Sequence, residues 1–335
     1  MRAILKPLFG NVPADADNLE ICGTYDRRFE ERDWATVWPT SGVIRWADGR
    51  IETETIWQNE HLKQCGDFNS RRSWFPRKCR GRYFNLSLFW ASGYYHWICD
   101  VLTRLHMVLP RLTPDIQVIL PPRMTAWQSR SLELIGLPQN QWLQYTEKRP
   151  WKVEHLFYAS PVAMTGDHEA QSLQWMQGKI LQACLTRREV PVGKRRLYVS
   201  RRRAAFRRIV NESELVPVLK KFNFDIIECE SLSFDEQVRL FSDAEVVVGP
   251  HGAGLTNVIW CERGVKLFEI FEPGSVRRCY WSLAKTLDHD YACAIGRAVI
   301  NPGGEANLEV SLDEFESALE KLICNNTNSV KLSSL

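Results

Sequence analysis

The chain has 335 residues, 43 Lys plus Arg against 40 Asp plus Glu, and 44% hydrophobic residues. That length suits about two domains, and the composition excludes a disordered, collagen-like or low-complexity chain. A net charge of +3 excludes a protein built for bulk attraction to nucleic acid or acidic membranes. Ten cysteines are scattered without CxxC or HxxxH spacing, so a structural zinc site is not expected. The opening residues MRAILKPLFGNVP give no signal-peptide reading, and no run of about 18 apolar residues occurs. The expected location is a reducing cytoplasm, with the sequons at Asn85, Asn211 and Asn325 as chance matches.

The first 75 residues are turn-rich and read as β, with a hairpin turning at Asp48-Gly49 between Val43–Trp46 and Arg50–Glu52. Residues 82–90 read as a strand. From Trp97 to Leu109 the apolar residues recur at helical spacing, and Pro110 ends the pattern. His96, Asp100 and Thr103 lie on another face of that helix. A strand at Ile116–Leu120, a helix over about 124–135 stopped by Gly136, a strand near His155–Ala159 and a helix over about 168–187 complete one α/β unit.

A linker from Arg187 to Gly193 precedes a second α/β unit. Its strands are expected at Leu197–Val199, Asp225–Cys229, Glu245–Gly249 and Val265–Phe271. A helix bearing Leu215, Val218, Leu219 and Phe222 is capped by Asn211 with Glu214 or by Ser213, and Pro217, which belongs in a first turn, argues for the later start. Ser233–Glu236 is a capping box, and Ser311–Glu314 opens a last helix.

Four features could carry chemistry. Val246-Val247-Val248 leads into Gly249-Pro250-His251-Gly252-Ala253-Gly254-Leu255-Thr256-Asn257, an apolar strand, a glycine-rich turn and a helix start. Glycines admit close backbone approach and a helix start offers free N–H donors, which suits a phosphate. Arg187–Arg208 holds ten Lys or Arg and one acid, with Arg201 and Arg202 just past a strand end, where ligands of open α/β sheets sit. Two basic groups and that turn on one rim would clamp a diphosphate. Glu269, read as a strand-end acid, could accept ribose hydroxyls. His96 and Asp100 could provide a general base, and the sequence does not separate their roles. The D-x-D strings Asp15–Asp17 and Asp288–Asp290 follow no apolar strand and are not read as metal sites.

Taken in order, Tyr95–Leu105, Tyr198–Arg202 with Arg207, Arg208 and Asn211-Glu212, Phe234–Gln237, Gly249–Asn257 and Glu269 resemble glycosyltransferase family 61 over roughly residues 80–295. The resemblance departs from the family at Thr103, where proline is commoner, and at Cys261-Glu262-Arg263. It implies two Rossmann-like domains facing a cleft (GT-B type) and an inverting, metal-independent transferase without a cofactor. Its donor would be a nucleotide sugar, usually a UDP sugar, and its acceptor a glycan or lipid-linked glycan. Without a signal or anchor the chain resembles the bacterial capsular or surface-polysaccharide type, expected to work in the cytoplasm or at the inner face of the membrane.

The implied domains are 1–188, on the acceptor side with a β-rich extension to about residue 78, and 189–330, which binds the nucleotide sugar. The implied catalytic residues are Asp100 and His96. The implied nucleotide site is Arg201, Arg202, Arg207, His251, Gly252, Ala253, Gly254, Leu255, Thr256, Asn257 and Glu269. Two alternatives stay open: a non-catalytic nucleotide-sugar-binding protein, and an RNA-binding module using Arg187–Arg208.

Overall fold

The computed structural model describes residues 27–57, 59–146, 149–185, 194–300 and 306–324. The expected linker with Arg187 and Arg188, the Asp15–Asp17 string and the sequon at Asn325 lie outside the described residues. The chain separates into two compact units. The first groups described residues 27–185 with Ser233–Arg239, and the second groups 194–232 with 240–324.

The first unit is a mixed six-stranded sheet made of β1 (Phe29–Trp38), β2 (Val43–Arg45), β3 (Arg77–Asn85), β4 (Ile116–Leu120), β5 (Trp142–Gln144) and β6 (Trp151–Ala159), in the order β2-β1-β6-β3-β4-β5. β6, β3, β4 and β5 are parallel, while β1 runs antiparallel to β6 and β2. The Asp48-Gly49 turn forms where expected, with the Trp46 N–H donating to the Arg50 carbonyl at 2.8 Å. Its second arm is only a bridge at Ile51. β1 and β2 thus complete the sheet edge. Ala35, Val37, Ile44, Val153 and Leu156 pack into one core cluster, each of the Val, Ile and Leu side chains contributing about 1.5–3 kcal/mol on burial.

The strand expected over 82–90 starts earlier and stops at Asn85. Leu86, Leu88 and Phe89 are buried as expected, but in the connection after the strand. An apolar run shows burial without showing whether a strand ladder accompanies it. The helix expected from Trp97 is composite. An α-turn (Tyr94–His96) passes into a π-turn (Trp97–Val101), a 3-10 turn (Leu102–Arg104), an α-turn (Leu105–Val108) and a last 3-10 turn (Leu109–Arg111). Pro110 lies inside that last turn, at a position that needs no N–H. Helix Ala126–Ile135 opens on the Thr125–Gln128 capping box and closes on Gly136 at φ 90°, a left-handed conformation glycine adopts freely. Helix Ala170–Cys184 is capped by Glu169.

The second unit holds a five-stranded sheet of β7 (Arg195–Val199), β8 (Phe224–Ile227), β9 (Ala244–Pro250), β10 (Lys266–Phe271) and β11 (Asp290–Ile295). Its order is β11-β10-β9-β7-β8, and every pairing is parallel. Val246, Val247 and Val248 are all buried, as a central strand covered on both faces requires. A hairpin of β12 (Arg297–Ile300) and β13 (Ala306–Glu309) and helix Leu312–Cys324 follow. The Ser233–Glu236 capping box opens helix Phe234–Ser242.

One expectation is corrected here: of the two possible caps the structure uses Asn211, so helix Glu212–Lys221 starts early, with Pro217 inside it. Tertiary bonds fix that start: Asn211 exchanges two hydrogen bonds with the Val310 backbone, and the Glu212 carboxylate accepts from Tyr198 and Ser200. The segment after β9, Ala253–Trp260, is a 3-10 helix. Among the described residues no helix is long and apolar enough to cross a membrane.

Candidate functional site

In the first unit β3 lies between β6 and β4. The chain therefore leaves β3 and β6 at a switch point of the sheet, where ligands of open α/β folds bind beyond the strand ends. Arg104, from the composite helix, fixes this place. It is fully buried, and its guanidinium donates to the carbonyls of Asn85 and Leu86 after β3 and of Ala159 at the end of β6, at 2.8–3.3 Å. Burial pulls its pKa down to about 10, so it remains a cation at neutral pH.

The segments just beyond these strand ends carry His96, Asp100 and Thr165. His96 Nδ1–H donates to Asp100 Oδ2 at 2.8 Å, and Thr165 Oγ1 donates to the same oxygen at 2.9 Å. A carboxylate only accepts, so Nδ1 carries the proton of this bond, and the tautomer that does so has its lone pair on Nε2. The Asp100 side chain is 3% exposed and that of His96 27%. Burial pushes the Asp100 carboxyl up, against the lowering influence of His96 and Thr165. The π-turn places Asp100 one turn after His96, and such insertions cluster at functional sites. Trp90 borders the pair, with ring centroids 5.0 Å apart. Thr165 and Arg104 were missed as functional residues. Nothing local marks Thr165, whereas Arg104 is a charge inside an apolar helix face, a signal the sequence did contain.

The second sheet, counted in chain order, runs 2-1-3-4-5 and reverses between β7 and β9. The basic segment follows β7 and the glycine turn follows β9, so the sheet order brings them together. Arg201 lies against Gly252: a Cβ there would meet the Arg201 Cζ at 2.7 Å. A Cβ on Gly249 would meet the Val199 carbonyl oxygen at 2.8 Å, and one on Gly254 the Val199 Cγ1 at 2.8 Å. These glycines make room for Arg201 and β7 as well as for a ligand. Burial and then the neighbouring Arg207 hold the Arg201 pKa below its usual value. Arg207 is itself lowered by burial. Two guanidiniums crowded in partial burial favour an anion between them. Arg201 donates to the Phe206 carbonyl at 3.1 Å, while its buried Nε has no partner. Tyr280 ties the turn down, donating to the Gly252 carbonyl at 2.7 Å.

Other expected nucleotide residues are placed differently. Arg202 and Arg203 both pair with Glu228. Arg195 pairs with Asp225 and Arg196 with Glu245. Four arginines of the described part of the basic stretch are therefore paired with acids. Leu255, Thr256 and Asn257 are buried. Thr256 hydrogen-bonds Tyr280, and Asn257 accepts from the Trp260 indole at 3.0 Å. Ala253 is exposed and Gly254 half-buried, so the turn reaches solvent there. Glu269 is no strand-end acid open to a ribose: it is fully buried. One of its oxygens accepts from His251 Nδ1 and the other from Tyr291 at 2.6 Å. The His251 ring stacks on Phe271, with centroids 5.4 Å apart. Tyr280, Tyr291 and Glu228 had no local signal, since their partners lie 22 or more residues away or depend on where a strand ends. Among the described residues no group of three or more His, Cys, Asp or Glu is placed to hold a metal ion.

The sequence model described as glycosyltransferase 61 matches residues 94–268, just over half of the chain. Curated relatives include the EGF domain-specific O-linked N-acetylglucosamine transferases of Bos taurus and Drosophila melanogaster. The Bos taurus protein is 29% identical over 39% of this chain and 25% of its own length, and the Drosophila protein 26% identical over 47% and 31%. The chain thus spans about a quarter to a third of the length of these relatives.

Proposed function

Because the chain belongs to the glycosyltransferase 61 family, we propose that it moves a sugar from a UDP-sugar to a hydroxyl of a glycan acceptor, with inversion at the anomeric carbon. The observation that carries this reading is Arg201 lying on Gly252 at the switch point of the second sheet, which supports a diphosphate site. Arg201, Arg207 and the turn at Ala253 and Gly254 neutralise the leaving diphosphate as its charge develops. His96, the more exposed member of its pair, takes the acceptor proton on Nε2 while Asp100 and Thr165 hold its Nδ1–H side. The acceptor oxygen bonds to the anomeric carbon as the bond from that carbon to the diphosphate oxygen breaks. The boundary near residue 188, the GT-B type organisation, a surface-polysaccharide acceptor and independence from metal belong to the same proposal. The names of the relatives make UDP-N-acetylglucosamine the first donor to screen.

The two alternatives find less support. A binding protein without turnover has no use for a buried carboxylate held against a half-exposed histidine. An RNA module on the basic stretch would need its arginines free, and four of them are paired with acids. The test is calorimetry against UDP, GDP, CMP and ADP, each with and without Mn²⁺, followed by donor turnover. UDP is expected to bind independently of metal. Arg201→Ala should weaken it by about 10- to 100-fold, and His96→Ala should lower turnover by about 10²–10⁴ with UDP affinity unchanged. Absence of binding by all four nucleotides would refute the reading.

A further inference from the structure

We propose that the segment of residues 71–82 in the first unit is a docking surface for a bilayer containing anionic phospholipid. The segment holds six Lys or Arg and no Asp or Glu, while the whole chain has an excess of only three positive charges. It carries two consecutive aromatic residues that are almost fully in water: Trp74 is 82% exposed and Phe75 76%. Trp74 ends a 3-10 turn (Arg71–Trp74), and Pro76 stiffens the link into β3. Arg71, Arg77, Lys78 and Arg80 are exposed around them. Across the β3–β6 pairing Lys78 stands opposite Lys152, whose ammonium lies 5.9 Å over the ring of Trp34, itself 36% exposed. Arg82 pairs with Asp115 and Glu31, and the Arg77 guanidinium lies 5.8 Å over the Trp151 ring.

Single exposed apolar residues need no explanation, but an adjacent Trp and Phe at this exposure do. Such side chains gain only by entering an apolar medium, and flanking Lys and Arg keep their heads in the charged headgroup layer while their stems follow the rings inward. A polyanion in solution would be served by the charges alone. Strand-stacking platforms for single-stranded nucleic acid line grooves, whereas exposures this high mark a protruding tip, the shape that fits a broad planar interface. The inference uses neither His96 nor Arg201 and stands apart from the transferase reading.

The test is flotation of the full chain with vesicles of phosphatidylcholine alone and with about one-third phosphatidylglycerol. Binding is expected to the mixed vesicles only. Trp74→Ser/Phe75→Ser should cut the partition coefficient by at least about tenfold. Lys78→Glu/Arg80→Glu should cut it by about fivefold or more per charge. Unmodified protein gives a second reading: its Trp emission should shift to the blue with mixed vesicles and stay unchanged with soluble heparin. No flotation with mixed vesicles would overturn the proposal. So would binding that the charge variant loses and the aromatic variant keeps, which indicates a soluble polyanion. Self-association in the absence of vesicles that the aromatic variant abolishes would overturn it in favour of a second copy of the chain.

Discussion

Each unit holds a histidine whose Nδ1 faces a carboxylate, and the two pairs differ in what is left open. In the first unit the Asp100 side chain is 3% exposed and His96 27%; in the second the Glu269 side chain is 0% and His251 8%. Asp100 also takes Thr165, and Glu269 also takes Tyr291. The same chemical pair therefore suits two tasks. A half-exposed imidazole can meet a substrate proton, whereas a buried one, stacked on Phe271 under the glycine turn, can hold the turn in shape. Exposure of the ring separates a proton acceptor from a positioning group. His96 and Asp100 follow the end of β3 and His251 follows the end of β9, as the switch-point rule leads one to expect, whereas Glu269 lies inside β10.

The sharpest way to break this comparison is Asp100→Asn. Turnover should fall by roughly 10³–10⁴, because Nδ1–H of His96 loses its ionised acceptor. Stability should move the other way. Burial raises the Asp100 pKa, so holding the ionised carboxylate costs the folded state, and that cost appears as pH rises through the raised value. At pH about 7.5 the variant should gain roughly 1–2 kcal/mol in urea unfolding, with the gain shrinking toward acid pH. An Asp100→Asn enzyme with full turnover would dissolve the distinction between the two pairs.

Glu269→Gln should act more weakly and elsewhere. Gln keeps one acceptor where two donors converge, so the His251 turn loosens. The donor KM is expected to rise about tenfold while kcat at saturating donor changes little, with a loss of about 1–3 kcal/mol in stability. A collapse of kcat instead would make His251 a group that meets the reacting atoms.

A third histidine bears on the pH dependence of stability and not on turnover. His168, hydrogen-bonded to the Tyr95 hydroxyl at 2.9 Å, is lowered by burial to about 3. Its folded pKa lies below the unfolded one, so the unfolded chain binds the extra proton as pH falls. Stability should decline by about 1.4 kcal/mol per pH unit below about pH 6.5. Unfolding of wild type and His168→Gln across that range should show a shallower slope in the variant, where His106 and His289, also lowered by burial, still contribute.

Much of the fold was legible because its signals are local. The alternation of strands and helices, the Val246–Val248 strand, the Ser233 capping box and the Gly136 stop each depend on spacing within a few residues. The early start of helix Glu212–Lys221 was not legible, since it rests on Val310, Tyr198 and Ser200. Neither was the end of β3 at Asn85, where buried apolar residues continue into a connection.

For the site, the sequence by itself determined which residue types were to hand: a histidine four residues before an aspartate, arginines after one strand and glycines after another. Tertiary structure alone decided their use. Sheet order set β7 beside β9 and so laid Arg201 on Gly252. Burial turned Glu269 inward and left His96 the more open partner of Asp100. Glu228 drew Arg202 away from the expected clamp. Spacing along a chain encodes helices, strands and caps. Exposure and ion pairing depend on which distant segments pack together, and that is set by the hydrophobic packing of the whole unit.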